Sequence, residues 1–186
     1  IRYLPTETPG YDSTLSYHSL EIPKGGEYRL QLADGSRIWL NSESSLRYPV
    51  KFGLHRREIF LSGEIYLEVV PDTQRPFIVH TANRTIKVLG TRFNVGNYPT
   101  DSLWSTTLVE GKIQIGHNDT TYILKPGEQY TASRQEGRPQ ISSVNPALYT
   151  SWISGKIIFH NERLEEIIRQ LQRWYDFEVF YTDPQL

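Results

Sequence analysis

From Tyr17 to about residue 145 the chain is written in short apolar-alternating runs that stop at Gly, Pro, Asn or Asp roughly every 8 to 12 residues. Such spacing leaves room for strands and tight turns and little room for helices. In "EYRLQLADGSRIWLNS" Tyr28, Leu30 and Leu32 share one face, Asp34 and Gly35 make a turn, and Ile38 and Leu40 resume the pattern. A glycine there supplies the positive φ of a tight hairpin. "REIFLSGEIYLEVV" reads as two strand-like runs around Ser62 and Gly63, ended by Pro71. Further turns fall near Ala82 and Asn83, at Gly111, at "HND", and at Pro126 with Gly127. About ten strands of this kind predict an all-β sandwich, barrel or solenoid. One run is flawed: in "TIKVLGTRFNV" the pair Gly90 and Thr91 interrupts an alternation that resumes at Phe93.

The flanks read differently. Residues 1–16, "IRYLPTETPGYDSTLS", have no sustained apolar period and predict a polar, loosely held arm. After Pro146 the spacing predicts a strand over 156–160, an N-cap at Asn161, a helix, and a last strand over 177–182. Leu164, Ile167, Ile168, Leu171, Trp174 and Tyr175 form the apolar stripe of that helix. Glu162, Glu165 and Glu166 early in it, with Arg169 and Arg173 late, suit the helix dipole. Strand, helix, strand implies a parallel pair with a crossover. Two strands and one helix cannot cover their own apolar faces, and each large side chain left in water forgoes roughly 1.5 to 3 kcal/mol. The unit therefore needs the β body, more chain, or another protein.

Composition removes whole classes of function. Twenty basic against 21 acidic residues, with no run of five like charges, leaves no electrostatic footprint for nucleic acid or an anionic membrane. With no Cys there is no disulfide, thiolate metal site or Cys nucleophile. No apolar stretch is long enough to span a bilayer, and no secretion signal is written at the start. The absence of any Met, even at position 1, suggests a sequence that begins inside a longer gene product.

The best candidates for catalytic chemistry are Glu64 and Glu68, which share a strand face with Tyr66 and could serve a glycosidase as paired carboxylates. The simpler reading is a solvated face opposite the buried Ile65, Leu67 and Val69. His18, His55, His80, His117 and His160 are scattered without the short spacings of a metal site, so no metal or cofactor is expected. "IPKGGE" lacks phosphate-loop spacing and reads as a turn. The sequons at Asn83 and Asn118 matter only in a glycosylating pathway. Trp39, Trp104, Trp152 and Trp174 could form a sugar platform, which makes a carbohydrate-binding module the runner-up, though dispersed Trp residues are more often core. No catalytic constellation survives, leaving an interaction protein with a β body and an incomplete mixed end.

The strings "IPKGGEYRLQLADGSRIWLNSESSLRYPV", "LSGEIYLEV", "RPFIVHT", "IKVLGTRFNV", "TTLVEGKIQI" and "LKPGEQY", in this order, resemble the FecR-type anti-sigma factors. "GKIIFHNERLEEIIRQLQRWYDFEV" is similar to that family's C-terminal domain, which is shared with secretins and TonB receptors. The resemblance implies a mainly β fold: a twisted sandwich or solenoid-like all-β domain over 17–145, followed by a small α+β unit, part of a βαβ domain, over 146–186. It implies the periplasmic part of a single-pass inner-membrane regulator, residues 1–16 following the membrane helix. Its partners would be the signalling domain of a TonB-dependent outer-membrane transducer and, through a cytoplasmic segment not contained here, an extracytoplasmic-function sigma factor. Gly63, Gly90, Thr91, Phe93, Gly111, Pro126 and Gly127 would be architectural, with Gly90 at a corner or bulge that needs a special φ. Trp174, Phe177, Glu178, Val179 and Tyr181 would lie near the partner-binding surface, at a free edge open to strand addition.

Overall fold

The computed structural model describes residues 2–3, 15–134, 138–175 and 177–180. Its organising element is not a pair of strands around Gly63 but a single 12-residue strand, β6 (Arg57–Glu68), that bends there and belongs to two sheets. Odd-numbered residues of β6 point inward along its whole length, so Ile59, Leu61, Ile65 and Leu67 all enter one core. Gly63 has φ +96°, and a Cβ there would stand 2.6 Å from the Cα of Ser44. Only glycine serves at that bend.

In the first sheet the N-terminal half of β6 lies between β5 (Ser45–Pro49) and β7 (Phe77–His80). Beyond β5 come β2 (Tyr17–Glu21) and β1 (Arg2–Tyr3), and beyond β7 come β8 (Thr85–Val88), β11 (Ile113–His117) and β12 (Thr120–Leu124). In the second sheet the C-terminal half of β6 lies between β4 (Arg37–Leu40), itself paired with β3 (Tyr28–Gln31), and β9 (Arg92–Asn97). Next come β10 (Leu103–Glu110), β13 (Glu128–Ser133) and β14 (Gln140–Ser143). The chain is mainly β, a mixed sheet wrapped into a nearly closed barrel with short helices near its C-terminal end.

From β7 onward, hairpins alternate between the two sheets, and the crossings fall at the punctuation residues. The chain passes from β8 to β9 through Gly90 and Thr91, from β10 to β11 through Gly111, and from β12 to β13 through Pro126 and Gly127. The corners stack on one another. A Cβ on Gly90 would meet Pro71 Cα at 2.7 Å, one on Gly111 would meet the Gly90 carbonyl at 2.7 Å, and the Thr91 hydroxyl donates to the Lys112 carbonyl at 3.1 Å. Gly90 itself has no positive φ. The expected special φ is therefore corrected: close backbone approach, not a forbidden dihedral, requires glycine there. Phe93, next along, is fully buried in the core.

The C-terminal unit departs from expectation. Within the expected arm, Arg2 and Tyr3 pair with Glu21 and Leu20 as a short strand, and most of the rest of the arm lies outside the described residues. Residues 156–160 and 177–180 form no strand, so of the expected strand, helix and strand only the helix α2 (Leu164–Trp174) is present among the described residues. Among the described residues neither segment pairs with a strand, and alternation alone cannot supply one. The helix is entered from Arg163, while Asn161, the expected cap, takes φ +57° just outside it. Between β14 and α2 the chain makes α1 (Pro146–Thr150), capped by the Asn145 side chain, and a 3-10 turn over Ser151–Ser154.

Candidate functional site

Register places Glu64, Gly96, Ser105 and Thr131 in one row across β6, β9, β10 and β13, on the outer face of the second sheet. Instead of facing water, this row is roofed by α1, the 3-10 turn, residues 156–162 and α2, which leave a cleft of about 320 Å³ over it. The simple solvated-face reading of Glu64 is thereby overturned. Trp152, in the 3-10 turn, is the near anchor of the roof: it is buried, and its indole N–H donates to Asn94 Oδ1 at 3.1 Å.

Glu64 stands at the floor of the cleft. Its two carboxylate oxygens accept from Asn41 Nδ2 at 2.8 Å and Asn94 Nδ2 at 2.9 Å. Desolvation pushes its pKa above the ordinary carboxylate range, partly opposed by those two amides and by the Arg173 charge. Tyr98, beside it, donates from its hydroxyl to the Ser42 carbonyl at 2.6 Å. Its ionisation is strongly disfavoured, first by burial and then by the Glu64 charge.

The far anchor is Arg173, in the last turn of α2. The guanidinium stacks on the Tyr98 ring at 3.7 Å, donates to Thr100 Oγ1 at 3.1 Å, and pairs with both oxygens of Asp101. Its backbone carbonyl accepts from Gly25 N at 2.8 Å, so the "IPKGGE" turn receives the helix end. Arg173 is the most buried side chain of the helix, and Glu166, Arg169 and Gln170 line the cleft on the same side.

This orientation inverts the usual one. At 100° per residue, positions 166, 169, 170 and 173 lie opposite 164, 167, 168 and 171. The polar face meets the β body, while Leu164, Ile167, Ile168 and Leu171 do not line the cleft and none is buried. Leu164 is 60% exposed, Tyr175 58% and Phe180 83%, with Ile158 and Phe177 also open.

The sequence-predicted residues divide accordingly. Trp174 is half-buried and lines the cleft, Phe177 and Glu178 are exposed, Val179 is half-buried, and Tyr181 lies outside the described residues. Glu68 is turned to an ion pair with Arg37. Four residues along a strand from Glu64, it lies about 13 Å away, too far for either glycosidase geometry. The four Trp residues share no platform, since Trp104 is wholly buried in the core and Trp152 is spent on Asn94. Among the described residues no group of three metal-ligating side chains gathers; His80 stacks on Phe60 at 4.8 Å and contacts Glu58 at 3.1 Å. Sequence reasoning gave Arg173 no role beyond the helix dipole. Its position opposite the apolar stripe, next to the uncommon chance of a basic residue facing a sheet, is the signal that was available.

Comparison with known proteins agrees with this fold. The family model described as FecR protein matches residues 18–114, and that described as FecR, C-terminal matches 156–186. Two crystal structures of a candidate anti-sigma factor from Parabacteroides distasonis share the fold. One superposes with a TM-score of 0.84 at 28% identity, covering 87% of this chain and 76% of that one. The other gives 0.83 at 29%, covering 86% and 76%. Among curated proteins no match is found.

Proposed function

The chain belongs to the FecR family, whose anti-sigma factors are non-enzymatic, and on that premise we propose that it is the periplasmic signal-receiving region of a transmembrane anti-sigma factor. In this reading it relays the state of a TonB-dependent outer-membrane transducer to an extracytoplasmic-function sigma factor. Among the described residues no helix is long and apolar enough to cross a membrane.

One observation supports the reading: α2 turns its polar face to the cleft and leaves Leu164, Tyr175, Phe177 and Phe180 exposed, with Ile167, Ile168 and Leu171 only half-buried. Residues 177–180 follow α2, and their backbone groups enter no strand ladder among the described residues. A partner that supplied a strand would satisfy those groups and cover the stripe together. The signalling domain of the transducer is that partner, docking on Leu164, Trp174, Phe177, Glu178, Val179 and Tyr181.

Calorimetric titration with purified signalling domains of candidate transducers tests this. Saturable binding that is lost in Leu164→Glu and Phe177→Ser, with the circular dichroism of the β body unchanged, is the expected result. Binding indifferent to both substitutions would move the receiver to another surface.

A further inference from the structure

The polar groups at the floor of the cleft under α2 are already paired within the chain. Both oxygens of Glu64 are taken by Asn41 and Asn94, the Trp152 N–H by Asn94, and the Gln129 amide by Thr107 at 2.9 Å. What the cleft does provide is a segment, from the 3-10 turn to the end of α2, held at its two ends over an imperfectly filled space. A dry, closely packed helix and sheet would separate only at the cost of many dispersion contacts. Here a polar helix face meets a polar floor across about 320 Å³ of open volume, and the contacts concentrate on one residue.

The two anchors differ in kind. The near one, the 3-10 turn, is fixed by the buried Trp152 and by Arg29, whose guanidinium donates to the Ile153 carbonyl at 3.1 Å. The far one is Arg173, held by Tyr98, Thr100, Asp101 and the Gly25 N–H. Between them the chain turns at Gly155, which has φ +73° and nothing within 4 Å of where a Cβ would stand. A hinge of few packed residues therefore follows the fixed anchor and precedes the charged one.

We infer that Arg173 is a reversible latch, and that α2 swings about Gly155 between the docked position and one in which the Glu64 floor opens to solvent. The released helix carries residues 156–180 with it, while α1 and the 3-10 turn stay on the sheet. Release frees the three corners that the latch ties together: the 22–27 turn, the turn bearing Glu43, and the Tyr98–Asp101 turn. The second of these reaches the bend of β6, where the Ser44 hydroxyl donates to the Glu64 carbonyl at 3.0 Å and stands against Gly63. As regulation, the latch rests on the proposed function, because it controls the same C-terminal unit that would meet the transducer; as a conformational equilibrium it needs no partner.

The chain has no Cys, so spin labels placed by Thr121→Cys on β12 and Glu165→Cys on α2 report one distance without background. Double electron–electron resonance on the unsubstituted latch should give a single narrow distribution. Arg173→Ala and Asp101→Asn should each add a displaced population at least tenfold larger than in the parent, and Arg173→Lys a smaller one, with unchanged strand circular dichroism. A single unshifted distance in Arg173→Ala and Asp101→Asn would overturn the latch, and so would global unfolding of both variants, which would make Arg173 a fixed part of the body. These distances are read without a partner. A failure of every transducer domain to bind would thus leave them standing, while their failure would leave partner binding on the apolar stripe untouched.

Discussion

Arg173 and Tyr98, 75 residues apart in sequence, meet face to face with the guanidinium 3.7 Å from the ring centroid. The contact joins the last turn of the helix to the hairpin between β9 and β10, and it puts a cation near Glu64, a half-buried carboxylate at the floor of the cleft. Arg173→Ala should remove about 1 to 2 kcal/mol from the attachment of α2, the range of a desolvated cation–π contact. Amide exchange over Leu164–Trp174 should accelerate roughly tenfold while the core of β6 stays protected. Arg173→Lys should lose less, because it keeps the charge but not the planar fork.

The corners give a prediction with an internal control. Gly90→Val forces a side chain onto Pro71, where even a Cβ stands at 2.7 Å, and should cost about 1 to 3 kcal/mol by overpacking. Gly155→Ala meets nothing and should cost only about 1 kcal/mol for its left-handed φ. Thermal melting of the two variants checks the order; an unchanged melting temperature in Gly90→Val would refute the role given to that corner.

Glu64 gives the fold a pH dependence of definite sign. Its folded pKa is raised, chiefly by desolvation, so between the unfolded value of about 4.5 and the folded one the native state holds more protons than the unfolded state. Stability contributed by Glu64 is greatest below about pH 4.5 and falls as pH rises through its folded pKa. The difference in melting temperature between the parent and Glu64→Gln should therefore move against the parent as pH rises above 4.5. A constant difference across that range would contradict the burial assigned to Glu64.

Glu64→Gln carries a second signature. Glutamine offers one acceptor oxygen to two donors, and neither Asn can turn its amide over: Asn41 Oδ1 already accepts from Ser42 N and Asn94 Oδ1 from Trp152. One hydrogen bond is lost whichever way the side chain sits, about 1 kcal/mol. The indole of Trp152 should report it as a shift in fluorescence.

Much of the β body could be read from punctuation. The hairpin at Asp34 and Gly35 and the breaks at Gly111 and Gly127 all stand at turns, because left-handed φ and close approach leave a residue-type mark that a single sequence displays. The continuity of β6 through Gly63 was not legible, since a bend inside one strand and a turn between two use the same residue. The C-terminal unit was only partly legible, for a different reason. The stripe from Leu164 to Leu171 does mark an amphipathic helix, but a stripe says which face is apolar and not what covers it. Arg173 decided that face, through partners at positions 43, 98, 100 and 101 that no local pattern connects to it. Glu64 was hidden likewise: alternation shows that it opposes Ile65, and only the return of the chain 90 residues later roofs it.

The most direct test of a partner-receiving C-terminal unit is a hydrogen-exchange footprint of the chain bound to a transducer signalling domain. New protection confined to residues 158–180, over the stripe of α2 and the backbone of 177–180, is the expected result. Protection over the outer faces of β2, β5 or β12, with residues 158–180 exchanging as they do in the free chain, would contradict it.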